Sequence, residues 1–229
     1  MIRFRPADDD GATYVRIPGI RLCYNVEEAS RGITDSFYHY ESSSDDEPQI
    51  HFQDVYIDGA CRGNGVHATP AAGVGIYYGP DDSRNEAIGL HTLEQSPKPT
   101  NQRAELHAVA RAVREIQSSL YKDSTCKTNI HTDSQYVIGC MEKWVDKWRR
   151  NGWRNTKGAP VANADIIKKA VDVLDNINSI YSRRGWSNLN FHFVPGHSGN
   201  HGNEQADKLA NIGADKMKKY LKRKKKNQS

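Results

Sequence analysis

No stretch of this chain is apolar over the roughly 18 residues that a membrane-crossing helix needs, so a transmembrane helix is excluded. Cysteine is scarce. Cys23, Cys61, Cys126 and Cys140 stand far apart, with no CxxC pair and no zinc-ligand spacing. That excludes a disulfide framework, and the four read as free thiols in a reducing compartment. Apolar residues make up only 37% of the 229, and mean hydropathy is −0.78. So polar a chain is expected to hold one modest core with polar ends, a single domain plus tails. Residues Met1 to Pro6 lack the apolar centre of a secretion signal. Asp8-Asp9-Asp10 argue against a mitochondrial presequence, which avoids acids.

The net charge of +4 is unevenly spread. Residues 1–50 carry ten acids against five Arg, whereas residues 215–229 carry eight Lys/Arg against one acid. Three segments follow: an N-terminal extension with an acidic linker over 1–50, a folded domain over 51–214, and a basic tail over 215–229. Within the first, Tyr14–Ile17 and Ile20–Tyr24 have strand character, and 42–48 is a solvated linker. The Lys222–Lys226 run is expected to fray. It reads as a nuclear-import signal, a nucleic-acid arm, or a solvated helix end.

The middle alternates in period. Strands are expected at 52–58, 74–78 and 87–90, with a turn at Gly79-Pro80-Asp81-Asp82, giving an antiparallel meander. Leu106, Val109, Val113, Ile116 and Leu120 recur at helical spacing and predict a helix over 101–120. A strand at 129–132 follows, then helices near 134–140, 142–151 and 164–178, a strand at 190–194, and a last helix from about Asn203. This order gives an α/β fold with a five-stranded mixed sheet flanked by helices.

Four carboxylates are set in apolar surroundings on these elements. Asp58 ends the first strand, before Gly59-Ala60-Cys61-Arg62-Gly63-Asn64-Gly65. Glu105 lies in Thr100-Asn101-Gln102-Arg103-Ala104-Glu105-Leu106, Asp133 in Ile130-His131-Thr132-Asp133-Ser134, and Asp207 follows Gly196-His197-Ser198-Gly199 within the last helix. Burying one carboxylate costs several kcal/mol, by rough estimate, unless a cation compensates. Four of them suggest a cluster that holds hard divalent ions, since Mg²⁺ takes oxygen ligands. The bland alternative is caps and surface charges. Asp133 is placed to cap the helix after it, and Asn101 to cap the helix after it.

Read in order, these four strings resemble ribonuclease H of type 1, from about Phe52 to about Gly213. The resemblance implies an RNase H-like fold and an endonuclease that hydrolyses the RNA strand of RNA–DNA hybrids, leaving 3′-hydroxyl and 5′-phosphate ends. It implies two Mg²⁺ ions, or Mn²⁺, held by Asp58, Glu105, Asp133 and Asp207, with Asp58 shared between them. His197 matches the family histidine that assists turnover; by itself it reads as an exposed loop residue. Glu204 either acts near the metals or complements the helix dipole.

Asn64, Asn101 and Gln102 match residues placed along the RNA strand, where side-chain amides suit the reading of a 2′-hydroxyl. Lys98, Thr100, Thr156 and Asn163 match phosphate or DNA contacts. The family often has Arg where Lys98 stands, and a lysine lacks the planar fork. Residues Glu142–Lys157 hold six Lys/Arg, two acids, Trp144, Trp148 and Trp153. Basic charge interleaved with aromatics marks a nucleic-acid surface. This segment looks like the basic protrusion of cellular enzymes, with Trp144 and Trp148 on one helical face against DNA. Two other readings are the RNase H portion of a retroelement and a non-catalytic hybrid-binding module. The linker and the protrusion argue against the first, and the complete set of acids against the second. A monomer acting on an RNA–DNA hybrid, with no membrane role, is expected.

Overall fold

The computed structural model describes residues 12–17, 20–25, 49–63, 70–94 and 98–228. The chain divides into two compact units, 1–49 and 50–229. In the first, β1 (Ala12–Ile17) and β2 (Ile20–Asn25) pair antiparallel, Ala12 opposite Asn25. The linker at 42–48 and Asn64 lie outside the described residues.

The second unit is built on a five-stranded sheet. Its strands are β3 (His51–Arg62), β4 (Ala71–Tyr77), β5 (Glu86–Gly89), β6 (Cys126–Thr132) and β7 (Asn190–Phe193), in the order β5-β4-β3-β6-β7. The expected meander is present: β3, β4 and β5 pair antiparallel. β6 and β7 join in parallel, which makes the sheet mixed as expected. The helices are α1 (Asn101–Leu120), α2 (Gln135–Ile138), α3 (Val145–Arg150), α4 (Ala164–Arg183) and α5 (His201–Lys226). α1 and α4 pack together and α1 covers β3 and β4, while α5 lies on β3, β4 and β5. Val55 and Ile57 lie with Leu106, Val109, Val113, Ile167 and Ile177 in the buried core.

Several boundaries differ from the sequence reading, each for a local reason. β3 runs four residues past Asp58, because β4 continues to pair with it as far as Arg62. Asp58 is therefore inside a strand, not at its end. α2 and α3 are one winding path interrupted by a wide π turn at Gly139–Lys143, where the Trp144 ring lies over Gly139. α4 extends to Arg183. The basic run at Lys222–Lys226 is helical, not frayed. A hydrogen bond from Ala72 N to Met217 Sδ (3.2 Å), a stack of Tyr220 on His91 (4.3 Å) and a Lys216 Nζ bond to Ala87 O hold the preceding turns. Cations at a helix C-terminus also suit its dipole.

α5 can lie this close to the sheet because its contact face is small. Ala206, Ala210 and Ala214 are fully buried against Gly73 and Gly75 of β4. A Cβ on Gly75 would overlap the backbone of Ala206 and Ala210. Backbone cannot rotate out of the way as a side chain can, so the helix itself would have to move. Gly75→Ala is expected to destabilise by about 3 kcal/mol or more, from overpacking. Gly185→Ala, with open space around it and φ of +71°, should cost about 1 kcal/mol. Urea unfolding of the two variants checks the contrast.

Candidate active site

β6 stops pairing with β3 at the His131–Tyr56 pair, while β3 runs on beside β4. The sheet is thus open on one side of Asp58, and Asp133 stands just past the end of β6, next to that opening. Two helices bring the other acids. A Cβ on Gly59 would overlap the backbone of Ala104 and Glu105, so α1 rests directly on β3 at that point. Gly75, the cross-strand partner of Asp58, is where α5 rests at Ala206–Ala210, beside Asp207. Asp58, Glu105, Asp133 and Asp207 consequently line one cavity of about 310 Å³, together with Asn101, Arg62 and Asn211.

Each acid is fixed by a neighbour. Asp58 Oδ1 accepts from its own next amide, Gly59 N, at 2.7 Å. Glu105 accepts from Asn101 Nδ2 at 2.7 Å and from Ser134 Oγ at 2.7 Å. Asp133 Oδ2 accepts from Asn203 Nδ2 at 3.2 Å, and Asp207 Oδ1 from Asn211 Nδ2 at 2.9 Å. Ser134, Asn203 and Asn211 were not singled out in the sequence. Asn211 alone had a signal there, since it lies one helical turn past Asp207. Two expected caps fall elsewhere. Ser134, not Asp133, caps α2 by accepting from Val137 N, and Thr100, not Asn101, caps α1 by accepting from Arg103 N. Those caps leave the Asp133 and Asn101 side chains to the cavity.

The remaining expected site residues are spread around this cavity. His197 is exposed in a turn at φ +54°, in a segment whose Gly196 lies against Asp133. Lys98, Gln102 and Thr156 are exposed. Thr100 and Asn163 are tied into the fold by Arg103, a buried guanidinium. It donates to Glu94 (2.5 Å), Asp165 (2.8 Å) and Asn163 Oδ1 (3.1 Å). The hydrogen bonds to Glu94 and Asp165 hold Arg103 charged well above the usual arginine range. Trp144, Trp148 and Trp153 meet in succession with tilted rings, at 5.7 and 6.1 Å between ring centres. Trp144 is 40% exposed, whereas Trp148 and Trp153 pack against the core.

Among the described residues, no lysine, arginine or histidine forms an ion pair with any of the four acids. Arg62, the cation nearest by lining, is paired with Asp215 at 2.6 Å. Burial, and then the charges of Asp133, Asp207 and Glu105, push the Asp58 carboxyl up to about 7. Burial and the charge of Asp133 also raise Glu105. An oxygen-only donor set with unbalanced negative charge fits a hard divalent cation. Without one, a raised carboxyl means that the folded state binds its proton more tightly than the unfolded state does. Stability from Asp58 is therefore full below pH 3.8 and is lost as pH rises through about 7. In EDTA, Asp58→Asn is expected to match wild type near pH 4 and to be more stable at pH 8, by at most about 4 kcal/mol. Thermal melts across that range, repeated with Mg²⁺ to close the gap, check this.

Comparisons with known proteins identify the family. The RNase H family model matches residues 52–215. A ribonuclease H of Legionella pneumophila (strain Lens) is 37% identical over 164 residues, covering 72% of this chain and 97% of its own. Human ribonuclease H1 is 36% identical over 160 residues, 70% of this chain and 49% of its own, so the chain spans about half the length of that relative. Among solved structures, LC9-RNase H1, a type 1 RNase H with the type 2 active-site motif, superposes with a TM-score of 0.54 at 28% identity, covering 75% of each chain. The foamy viral RNase H domain (TM-score 0.52, 23% identity, 73% of this chain and 96% of its own) shares the fold. With the matching segment spanning both the sheet and all four acids, the chain belongs to the RNase H family.

Proposed function

We propose that this chain is an endoribonuclease that hydrolyses the RNA strand of RNA–DNA hybrids. The observation that carries the reading is the convergence of four carboxylates in one cavity beside Asn101, with no paired cation among the described residues. The relatives that share the matched segment bear the name ribonuclease H or H1, which supports the same reaction.

Asp58, central to the cluster, would be shared by two Mg²⁺ or Mn²⁺ ions. Glu105 and Asp133 would hold one of them and Asp207 would help to hold the other. When bound, such a pair supplies an activated water and the charge that stabilises the leaving oxygen, leaving 3′-hydroxyl and 5′-phosphate ends. Ser134, Asn101, Asn203 and Asn211 keep the carboxylates aimed into the cavity by the hydrogen bonds already described. His197, solvent-exposed on the segment beside Asp133, would carry a proton to the departing product.

Recognition follows from what surrounds the acids. Asn101 and Gln102 at the start of α1 present amides that donate and accept, as the 2′-hydroxyl of the RNA strand requires; Asn64, outside the described residues, is assigned the same role on its residue type. Thr100, Asn163, Lys98 and Thr156 would supply phosphate or DNA contacts. On the basic segment, the half-exposed Trp144 supplies a stacking face for the DNA strand, backed by Trp148. The exposed basic end of α5 adds a sequence-independent attraction to phosphate.

A labelled hybrid, with Mg²⁺, tests the reaction; equal cleavage of single-stranded RNA or duplex DNA would overturn it. Asp58→Asn and Asp133→Asn are each expected to cut cleavage by about 10³-fold or more while hybrid binding persists. His197→Ala should slow turnover by no more than about 10²-fold, since no metal ligand is lost. Equal losses in the three variants would contradict that division of roles. Trp144→Ala should raise KM more than it lowers kcat, as expected for uniform binding away from the chemistry. A fall in kcat at constant KM would place Trp144 in a different role.

A further inference from the structure

The other end of β3 carries a second group of ligating side chains. His51 opens β3 and stands directly opposite Cys126, the first residue of β6. The chain enters β6 through Asp123-Ser124-Thr125, and His51 N donates to Thr125 O at 3.2 Å. A ring nitrogen of His51, a carboxylate oxygen of Asp123 and Sγ of Cys126 all lie within 4.8 Å of one another.

Hydrogen bonds hold all three groups in place: Thr125 fixes Asp123 and His51, the Thr128 side chain bonds to Cys126, and the Asp123 carboxylate also accepts from Cys126 N. Asp123 Oδ1 accepts from Thr125 N at 2.9 Å and from Thr125 Oγ1 at 2.8 Å, so Oδ2 is the oxygen turned to His51. Because the Thr125 hydroxyl proton goes to Asp123, Oγ1 acts as an acceptor towards His51 Nδ1, at 3.4 Å. A proton on Nδ1 puts the imidazole lone pair on Nε2, and Nε2 faces Asp123 Oδ2 at 3.3 Å. In a tetrahedral zinc site, with metal bonds of about 2.0–2.1 Å, such nitrogen and oxygen ligands stand about 3.3 Å apart. An ion pair between His51 and Asp123 accounts for two of the three groups. It does not account for a thiol brought to the same point by strand register.

We propose that His51, Asp123 and Cys126 form a binding site for a thiophilic divalent ion of the zinc class, with a fourth position open to water or an outside ligand. Thiolate and imidazole donors suit Zn²⁺ and do not suit Mg²⁺, so this site differs in kind from the four-acid cavity. It differs in place as well. Seven residues of extended strand separate His51 from Asp58, about 23 Å at 3.3 Å per residue. The His51 and Asp123 side chains are 56% and 44% exposed, which gives an ion a way in. The site sits at the edge of a groove of about 680 Å³ that Tyr56, Tyr78, Arg84 and Glu115 also line. An ion there would clip the start of β3 to the start of β6, closing a long loop through α1 and adding stability on binding.

The probe is Co²⁺ added alone to the full chain after chelation. The expected result is a thiolate-to-cobalt charge-transfer band with tetrahedral visible bands, saturating at one ion per chain and bleached by Zn²⁺ but not by Mg²⁺. Cys126→Ser should abolish the charge-transfer band, while Cys61→Ser and Cys140→Ser keep it. Thr125→Ala should weaken Zn²⁺ binding by about tenfold through its two hydrogen-bonded partners. A missing thiolate band, or one that survives Cys126→Ser, would overturn the proposal. Alkylation of the unmodified sequence gives a check that needs no variant. Zn²⁺ should slow modification of Cys126 by iodoacetamide at least about tenfold, read by mass spectrometry, and equal rates with and without Zn²⁺ would also overturn it.

Discussion

The mutual repulsion of four carboxylates is the constraint on which the rest of the site depends. Asp58 is nine-tenths buried, accepts one backbone hydrogen bond, and faces three other acids with no basic side chain among the described residues paired to it. Left to itself such a cluster would spread apart, because water solvates each carboxylate better than its neighbours do. It stays together because every acid is mounted on rigid structure and at least one hydrogen-bond donor aims it. The destabilisation is local and is held in store for a cation. A site prepared in this way needs little rearrangement when the cation arrives.

Rigidity here comes from the absence of side chains at two positions. Gly59 lets α1 approach β3 until Glu105 reaches the opening beside Asp58, and Gly75 lets α5 approach β4 until Asp207 does the same from the other face. Gly59 follows Asp58 in the chain and Gly75 is its partner across the sheet. One carboxylate in a strand therefore carries, in its two immediate neighbours, the seats of both helical acids. A helix held off by one methyl group would shift its acid by ångströms, more than a metal–oxygen bond tolerates. The short register of β6, which ends where β3 continues, supplies the fourth acid and the opening at once.

The fold and the four acids were legible because both rest on short-range pattern. Alternation gave the meander, the 3.6 period gave α1, and each acid sits in a string whose neighbours point to the same family. What could not be read there depends on where the chain meets itself. Asp58 looked like the end of a strand because Gly59 and Gly63 are poor strand formers; pairing with β4 carries the strand on to Arg62 regardless. The caps fell one residue from expectation, since Thr100 and Ser134 compete with Asn101 and Asp133 for the same role and local sequence does not rank them. Lys222–Lys226 looked frayed by charge alone, but the helix is nucleated and held upstream by Met217 and Tyr220. Nothing in the local sequence marks Arg103, as a lone arginine on a helix normally faces water. Its partners Glu94 and Asp165 come from separate parts of the chain.

Arg103 also shows how recognition and stability share parts. Its guanidinium joins the turn at Glu94, the first turn of α1, and the start of α4 at Asn163 and Asp165. Asn101 and Gln102 sit on that first turn, so the described residues facing the RNA strand in the proposed function are anchored by a charge that never meets it. A buried ion pair is a weak source of net stability but a strong source of geometry, because removing either partner strands the other. The same economy appears along β3. Its pairing with β6 brings three ligating groups together at the strand's start, and its outrunning of β6 opens the carboxylate cavity near its end. One strand register thus fixes both the hard oxygen donors at one end of the sheet and the softer nitrogen and sulfur donors at the other.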